Sequence, residues 1–208
     1  MSRRLSFYFN ILLLNIEASG EKWQRYLSGI QRGGRRYTIK KEYYAGGTLK
    51  SETEWKNNEK EGKALTFYES GEVKSEWYYQ KDRLEGLARG YYPGGALRNE
   101  RQYLQGRPAG KAREYYESGK LKSEWEYVEG KREGEIKDYH ESGRVKTVWN
   151  YKRGKLHGPA KEYYENGVLR VEGEFQEGKQ IGETLVYGED GKIQEVWSHC
   201  DGKSERVR

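Results

Sequence analysis

One spacing governs this chain. A glycine follows a tyrosine-rich pair at Gly47, Gly71, Gly95, Gly119, Gly143, Gly167 and Gly191, and every step is 24 residues. The aromatic four positions earlier keeps that step (Tyr43, Phe67, Tyr91, Tyr115, Tyr139, Tyr163, Tyr187). So does the aliphatic two positions later (Leu49, Val73, Leu97, Leu121, Val145, Leu169, Ile193). A second glycine row stands at Gly62, Gly86, Gly110, Gly134, Gly158 and Gly182. Seven copies without an insertion or deletion require a fold that grows by adding one unit at a time.

The unit reads as a β-hairpin. In LKSEWEY (121–127), Leu121, Ser123, Trp125 and Tyr127 alternate with Lys122, Glu124 and Glu126, the period-two signature of a half-buried strand. KAREYY (111–116) supplies the partner strand. Glu117-Ser118-Gly119 between them suits a type I turn closed by a left-handed residue, a conformation glycine adopts without steric cost. The other connection, VEGKREG (128–134), carries Gly130 and Gly134 and is expected to turn the chain back with both.

Composition fits a thin architecture. Charged residues make up 35% and the AVILMFWYC set only 34%, too little apolar matter for a thick two-layer core. The 19 Tyr and 6 Trp separate the chain from disordered sequences, which lack aromatics. The expected fold is all-β: an elongated single-layer antiparallel sheet of stacked hairpins, a twisted open array. Two strands per copy advance the sheet by roughly 10 Å, so seven copies make a rod of about 65–70 Å.

Comparing copies sorts positions by role. The aliphatic row and the row Trp55, Tyr79, Tyr103, Tyr127, Tyr151, Phe175 are what stacking requires; the latter breaks at His199. On the opposite face runs a basic row, Lys50, Lys74, Arg98, Lys122, Lys146 and Arg170. Beside it runs an acidic one, Glu52, Glu76, Glu100, Glu124 and Glu172, with Val148 and Val196 as exceptions. These two read as a solvated face with offsetting charge.

One row on the aliphatic face varies: Thr53, Trp77, Arg101, Trp125, Trp149, Gly173, Trp197. Trp and Arg are the side chains most enriched at binding hot spots. Trp77, Arg101, Trp125, Trp149 and Trp197 are therefore the candidate partner-binding residues. The competing structural reading is that these indoles only thicken the apolar layer.

The stretches GKLHGPAKEYYENGVL (154–169) and VEGEFQEGKQIGE (171–183) resemble MORN repeats. The Tyr-Tyr-x-x-Gly-x-Leu start and the 24-residue step are similar to the variant MORN repeat of YwqK-type proteins, labelled antitoxin components. The resemblance covers about residues 39–202. It implies single-layer antiparallel sheets that bind proteins or meet phospholipid, and the label implies a toxin as partner. It carries over no functional site residue, because the family pattern consists of structural positions.

Residues 1–18 differ from the rest: Arg3 and Arg4, an apolar run from Leu5 to Ile16, then Ala18. That is the layout of a secretory signal, favouring export to periplasm or envelope; the alternative is an apolar N-terminal cap on the sheet edge in a cytoplasmic protein. Residues 19–38 read as a degenerate half-repeat, and 39–208 as the array.

Residue chemistry points away from catalysis. His199-Cys200-Asp201 falls short of a four-ligand metal site, and the repeated carboxylates lack the unequal environments an acid–base pair needs. No cofactor and no metal is expected, and the chain reads as a non-enzyme. The formal net charge of +6 is spread among interleaved acids and bases, not concentrated as in nucleic-acid binders. The leading function is a protein-binding scaffold of the antitoxin or immunity kind. The alternative is a membrane-associated or envelope structural repeat protein.

Overall fold

The computed structural model describes residues 31–32, 35–200 and 202–208. The signal-or-cap reading of residues 1–18 lies outside them. In chain order the strands are β1 (Gln31–Arg32), β2 (Arg35–Tyr43), β3 (Leu49–Lys56), β4 (Glu59–Phe67), β5 (Val73–Gln80), β6 (Arg83–Leu84) and β7 (Gly86–Tyr91). Then follow β8 (Leu97–Leu104), β9 (Arg107–Tyr115), β10 (Leu121–Val128), β11 (Lys131–Tyr139), β12 (Val145–Lys152) and β13 (Lys155–Leu156). The chain ends with β14 (Gly158–Tyr163), β15 (Leu169–Gln176), β16 (Lys179–Tyr187), β17 (Ile193–Cys200) and β18 (Lys203–Arg206).

Strands pair antiparallel with their neighbours in the chain, as in β9–β10 and β10–β11, except that β6 and β7 both pair with β5, and β13 and β14 both with β12. The described residues therefore form one open meander of seven glycine-turn hairpins with no helix, the expected all-β single sheet.

Two turn types alternate. At the tyrosine end the Gly119 amide donates to the Tyr116 carbonyl at 2.9 Å, the Tyr116 amide donates to Lys120 at 2.8 Å, and Gly119 has φ +82°. This is the expected type I turn closed by a left-handed glycine. At the other end Val128 pairs with Lys131, leaving the two-residue loop Glu129-Gly130 with φ +52° and +78°. Both positive angles define a type I′ turn, whose twist matches that of the strands.

Gly134 is not part of that turn. It lies inside β11, where the register jumps: Glu124 faces Lys137 but Glu126 faces Glu133. Three residues, Gly134, Glu135 and Ile136, thus oppose Trp125 alone. The jump recurs opposite Glu54 and Gly173, and the second glycine row has φ between +62° and +109°. VEGKREG therefore holds one turn glycine and one bulge glycine. The bulge demands the same left-handed backbone as the turn, so the two look alike in sequence. The partner strand is also longer than KAREYY, running from Arg107 to Tyr115.

Successive copies are joined by more than the ladder. The second tyrosine of each pair donates to the carbonyl of the first aromatic in the next copy: Tyr44 to Phe67, Tyr68 to Tyr91, Tyr92 to Tyr115, Tyr116 to Tyr139 and Tyr164 to Tyr187, at 2.7–2.9 Å. His140 holds the tyrosine place with Nε2 3.1 Å from the Tyr163 carbonyl. Type I′ turns are stitched likewise. The Arg153 amide donates to Glu133 at 2.7 Å, and Gly154 to the Arg132 carbonyl at 2.9 Å.

Candidate binding face

A single sheet has no second layer to bury its side chains, so large residues must fold over small neighbours. One row crosses the array perpendicular to the strands, made of Thr53, Ala64, Trp77, Ala88, Arg101, Ala112, Trp125, Ile136, Trp149, Ala160, Gly173, Thr184 and Trp197. Across the glycine turns its members are cross-strand partners, as in Ala64–Trp77, Ala112–Trp125, Ile136–Trp149 and Thr184–Trp197, whereas Trp125–Ile136 and Gly173–Thr184 meet at the register jumps. The buried apolar side chains of the described residues all stand in this row: Ala112 at 1% exposure, with Ala64, Ala88, Ala160, Ile136 and Trp125 at 6–7%.

All five candidate residues stand in this row, on one face. Trp125, at 7% exposure, forms the core with Ala112 and Ile136, with Tyr127, Trp149 and Tyr151 packed against it. Trp77, Arg101, Trp149 and Trp197 are half-buried. Trp77 packs on Tyr103 of the next copy at 6.1 Å between ring centroids, and Trp149 on Phe175 at 6.0 Å. The Trp77 indole donates to Ser75 at 2.8 Å, and that of Trp197 to Glu195 at 2.9 Å. Where Gly173 stands, an added Cβ would lie 3.0 Å from Thr184 Oγ1 and 3.2 Å from Gln180 Nε2, so those side chains occupy the missing indole's place.

Cations lie on the rings. The Arg101 guanidinium sits 5.6 Å from the Trp125 ring and 5.4 Å from Tyr127. Arg132, from the following strand, sits 5.4 Å from Trp125 and 5.7 Å from Tyr151. Burial works against the charge of Arg132, yet the Tyr127 and Tyr151 phenols beside it hold the group above the usual arginine range. At the first copy, Lys40 lies 3.6 Å from the Trp55 ring, and Lys60 lies 5.0 Å from Tyr79.

A polar row runs parallel: Glu42, Ser51, Thr66, Ser75, Gly90, Asn99, Glu114, Ser123, Asp138, Thr147, Glu162, Val171, Val186, Glu195. Hydroxyls and carboxylates satisfy each other in it. Asp138 accepts from both Ser123 and Thr147 at 2.5 Å.

Strict alternation places the aliphatic row with the tryptophans and the basic row opposite, but a bulge in every copy reverses both: Leu121 faces Tyr115 while Ser123 faces Glu114. The aliphatic row thus joins the acidic face, and the basic row turns to the tryptophan face, where Arg170 donates to Glu162 at 2.7 Å. On the acidic face Glu52, Glu76, Glu100 and Glu172 pair with Lys41, Lys63, Arg113 and Lys161 of adjoining strands at 2.6–4.0 Å. Glu100, Glu124 and Glu172 also accept from Tyr115, Tyr139 and Tyr187 at 2.6–3.0 Å. Burial, and then the Glu124 carboxylate it bonds, pushes the Tyr139 phenol up to about 12. The basic row lies instead over the second tyrosines, with Lys74 5.5 Å from the Tyr68 ring and Lys122 5.8 Å from Tyr116.

Sequence reasoning missed the alanine row and the ladder of second tyrosines. The 24-residue recurrence of Ala64, Ala88, Ala112 and Ala160 was the available signal for the first.

Fold and face together define an open single-sheet repeat protein, a scaffold for binding. The chain belongs to the MORN repeat variant family, whose model matches residues 38–57, 60–81, 84–105, 109–129, 132–153 and 156–177. A seventh hairpin of the same build, β16–β17, follows the matched segments. Comparison with curated proteins gives no match. Among solved structures, S. aureus TarM is similar at 13% identity over 61% of this chain and 26% of that one, TM-score 0.33. A GtfA/B complex bound to UDP and GlcNAc is similar at 13% identity over 70% and 28%, TM-score 0.24. The chain thus spans about a quarter of the length of each, and neither likeness carries a functional argument.

Proposed function

We propose that the protein is a non-catalytic, protein-binding scaffold, of the antitoxin or immunity kind, that engages its partner through the tryptophan face. The observation that carries this reading is the row from Trp77 to Trp197, continuous across the array while its large members change from copy to copy. Positions needed only for stacking stay constant in kind, as the aliphatic row does. A changing row of indoles and a guanidinium supplies specificity without chemistry.

The test is affinity purification of the tagged full-length chain from its native host at low and high salt, in parallel with a Trp149→Ala/Trp197→Ala variant. A single stoichiometric partner that survives high salt and is lost with the variant is the expected result; a small toxin as that partner would fit the antitoxin label. Retention unchanged in the variant would remove this row from the interface. Trp125 is unsuitable for the test because its loss disturbs the core.

A second reading, a membrane-associated repeat, draws on the exposed basic row Lys50, Lys74, Lys122, Lys146 and Arg170. Among the described residues no helix is long and apolar enough to cross a membrane, so attachment would be to a surface. Sedimentation with anionic liposomes at low salt tests it, and absence of binding removes it.

A further inference from the structure

The aromatic side of the tryptophan face carries cations that the protein leaves unneutralised. Lys40, Lys60, Arg101 and Arg132 all rest on rings. Among the described residues none of the four has a carboxylate within 4.0 Å. The carboxylates of the same face are set apart in the polar row, and all but Glu114 are engaged there: Glu42 with Ser51, Asp138 with Ser123 and Thr147, Glu162 with Arg170, Glu195 with Trp197. The Nε donor of Arg101 is buried with no acceptor on the protein. A guanidinium is built to grip a carboxylate with paired donors, and here two flank one indole with none to grip.

Resting on the scaffold reading above, we propose that this lane receives an extended acidic segment of the partner protein, lying across the strands with one carboxylate at each cation. Arg101 and Arg132 come from strands three steps apart but rest on the same Trp125 ring, at 5.6 and 5.4 Å, so carboxylates of a single extended segment reach both guanidiniums. Lys60 and Arg101 are half-buried among the rings, within reach of a single chain lying in the lane but recessed from a flat bilayer.

The probes are a labelled Ser/Gly peptide carrying four Glu residues and the same peptide with Gln for Glu. Binding to the full-length protein is read by fluorescence anisotropy at low salt. The Glu peptide should bind and the Gln peptide should not. Arg101→Gln/Arg132→Gln should weaken the Glu peptide about tenfold, while Lys137→Gln/Lys161→Gln, an equal charge change on the opposite face, should not. No binding of the Glu peptide, equal binding of the Gln peptide, or equal losses in the two double variants would overturn the proposal. The Glu–Gln comparison needs no variant and so survives any misfolding. Vesicles of phosphatidylserine retained through Arg101 and Arg132, with the peptides inert, would reassign the cations to lipid. If the partner captured by the tryptophan-dependent purification stays bound to Arg101→Gln/Arg132→Gln, the scaffold reading stands and this inference falls.

Discussion

The Tyr116 hydroxyl donates to the carbonyl of Tyr139 at 2.7 Å, 23 residues along the chain. Replacing Tyr116 with Phe removes the donor and leaves the acceptor in a part-buried place, a change worth about 1 kcal/mol. Urea denaturation should register that loss. His140→Tyr, which restores the ladder's usual donor against the Tyr163 carbonyl, should be neutral or stabilising by the same assay.

Ala112 is covered by its neighbours Arg101 and Trp125 and has 1% exposure. Ala112→Val adds volume where none is free and should cost about 1–3 kcal/mol. Trp125→Ala opens the same spot from above and should cost about 3–5 kcal/mol. Trp197→Ala, half-buried in the last hairpin, should cost clearly less than Trp125→Ala in the same denaturation series.

Glu129 holds φ +52° at the first position of a type I′ turn, with Gly130 after it. Asn enters that region more readily than Glu. Glu129→Asn should therefore raise the thermal midpoint, by about 0.5 kcal/mol in free energy. An unchanged or lower midpoint would mean that Glu129 makes contacts the turn geometry does not reveal.

Tyr78 and Tyr139 titrate near 12, against 10 for the free phenol, through burial first and then their Glu76 and Glu124 neighbours. Tyr91, Tyr115 and Tyr187 are raised too. A phenol whose folded value lies above its unfolded one stabilises the sheet fully below pH 10, and that stabilisation disappears as pH rises to about 12. Tyrosinate absorbance and loss of sheet ellipticity should therefore appear together in this window. Tyrosinate forming near pH 10 in a sheet that stays folded would contradict the partial burial of Tyr139 and the carboxylate contacts of both Tyr78 and Tyr139.

The period, the hairpins, the three-residue turns and the shared face of the indoles were legible in sequence because each is a local pattern multiplied seven times; the faces of the aliphatic and basic rows were not, because a bulge after Leu121 and its equivalents resets the alternation. His140 could be read as a tyrosine stand-in for the same reason. Gly134 could not be placed, since a turn and a bulge ask the same backbone angle of glycine and only strand pairing tells them apart. Nor was the burial of Trp125 legible: it depends on two guanidiniums and an isoleucine brought from other strands, while Trp77 in the same row stays half-exposed. The alanine row escaped because a small residue reads as filler until one knows what lies on top of it.

The tyrosine ladder has a consequence for how such a chain can change its length. Donor and acceptor never belong to the same copy, so a lone copy is always left with an orphan at each end. Excising or duplicating 24 residues anywhere between Tyr44 and Tyr187 closes the ladder again over the gap. Any number that is not a multiple of 24 strands a hydroxyl and a carbonyl. The protein is in this sense a ruler marked in whole units, whose reach is adjustable only by the notch.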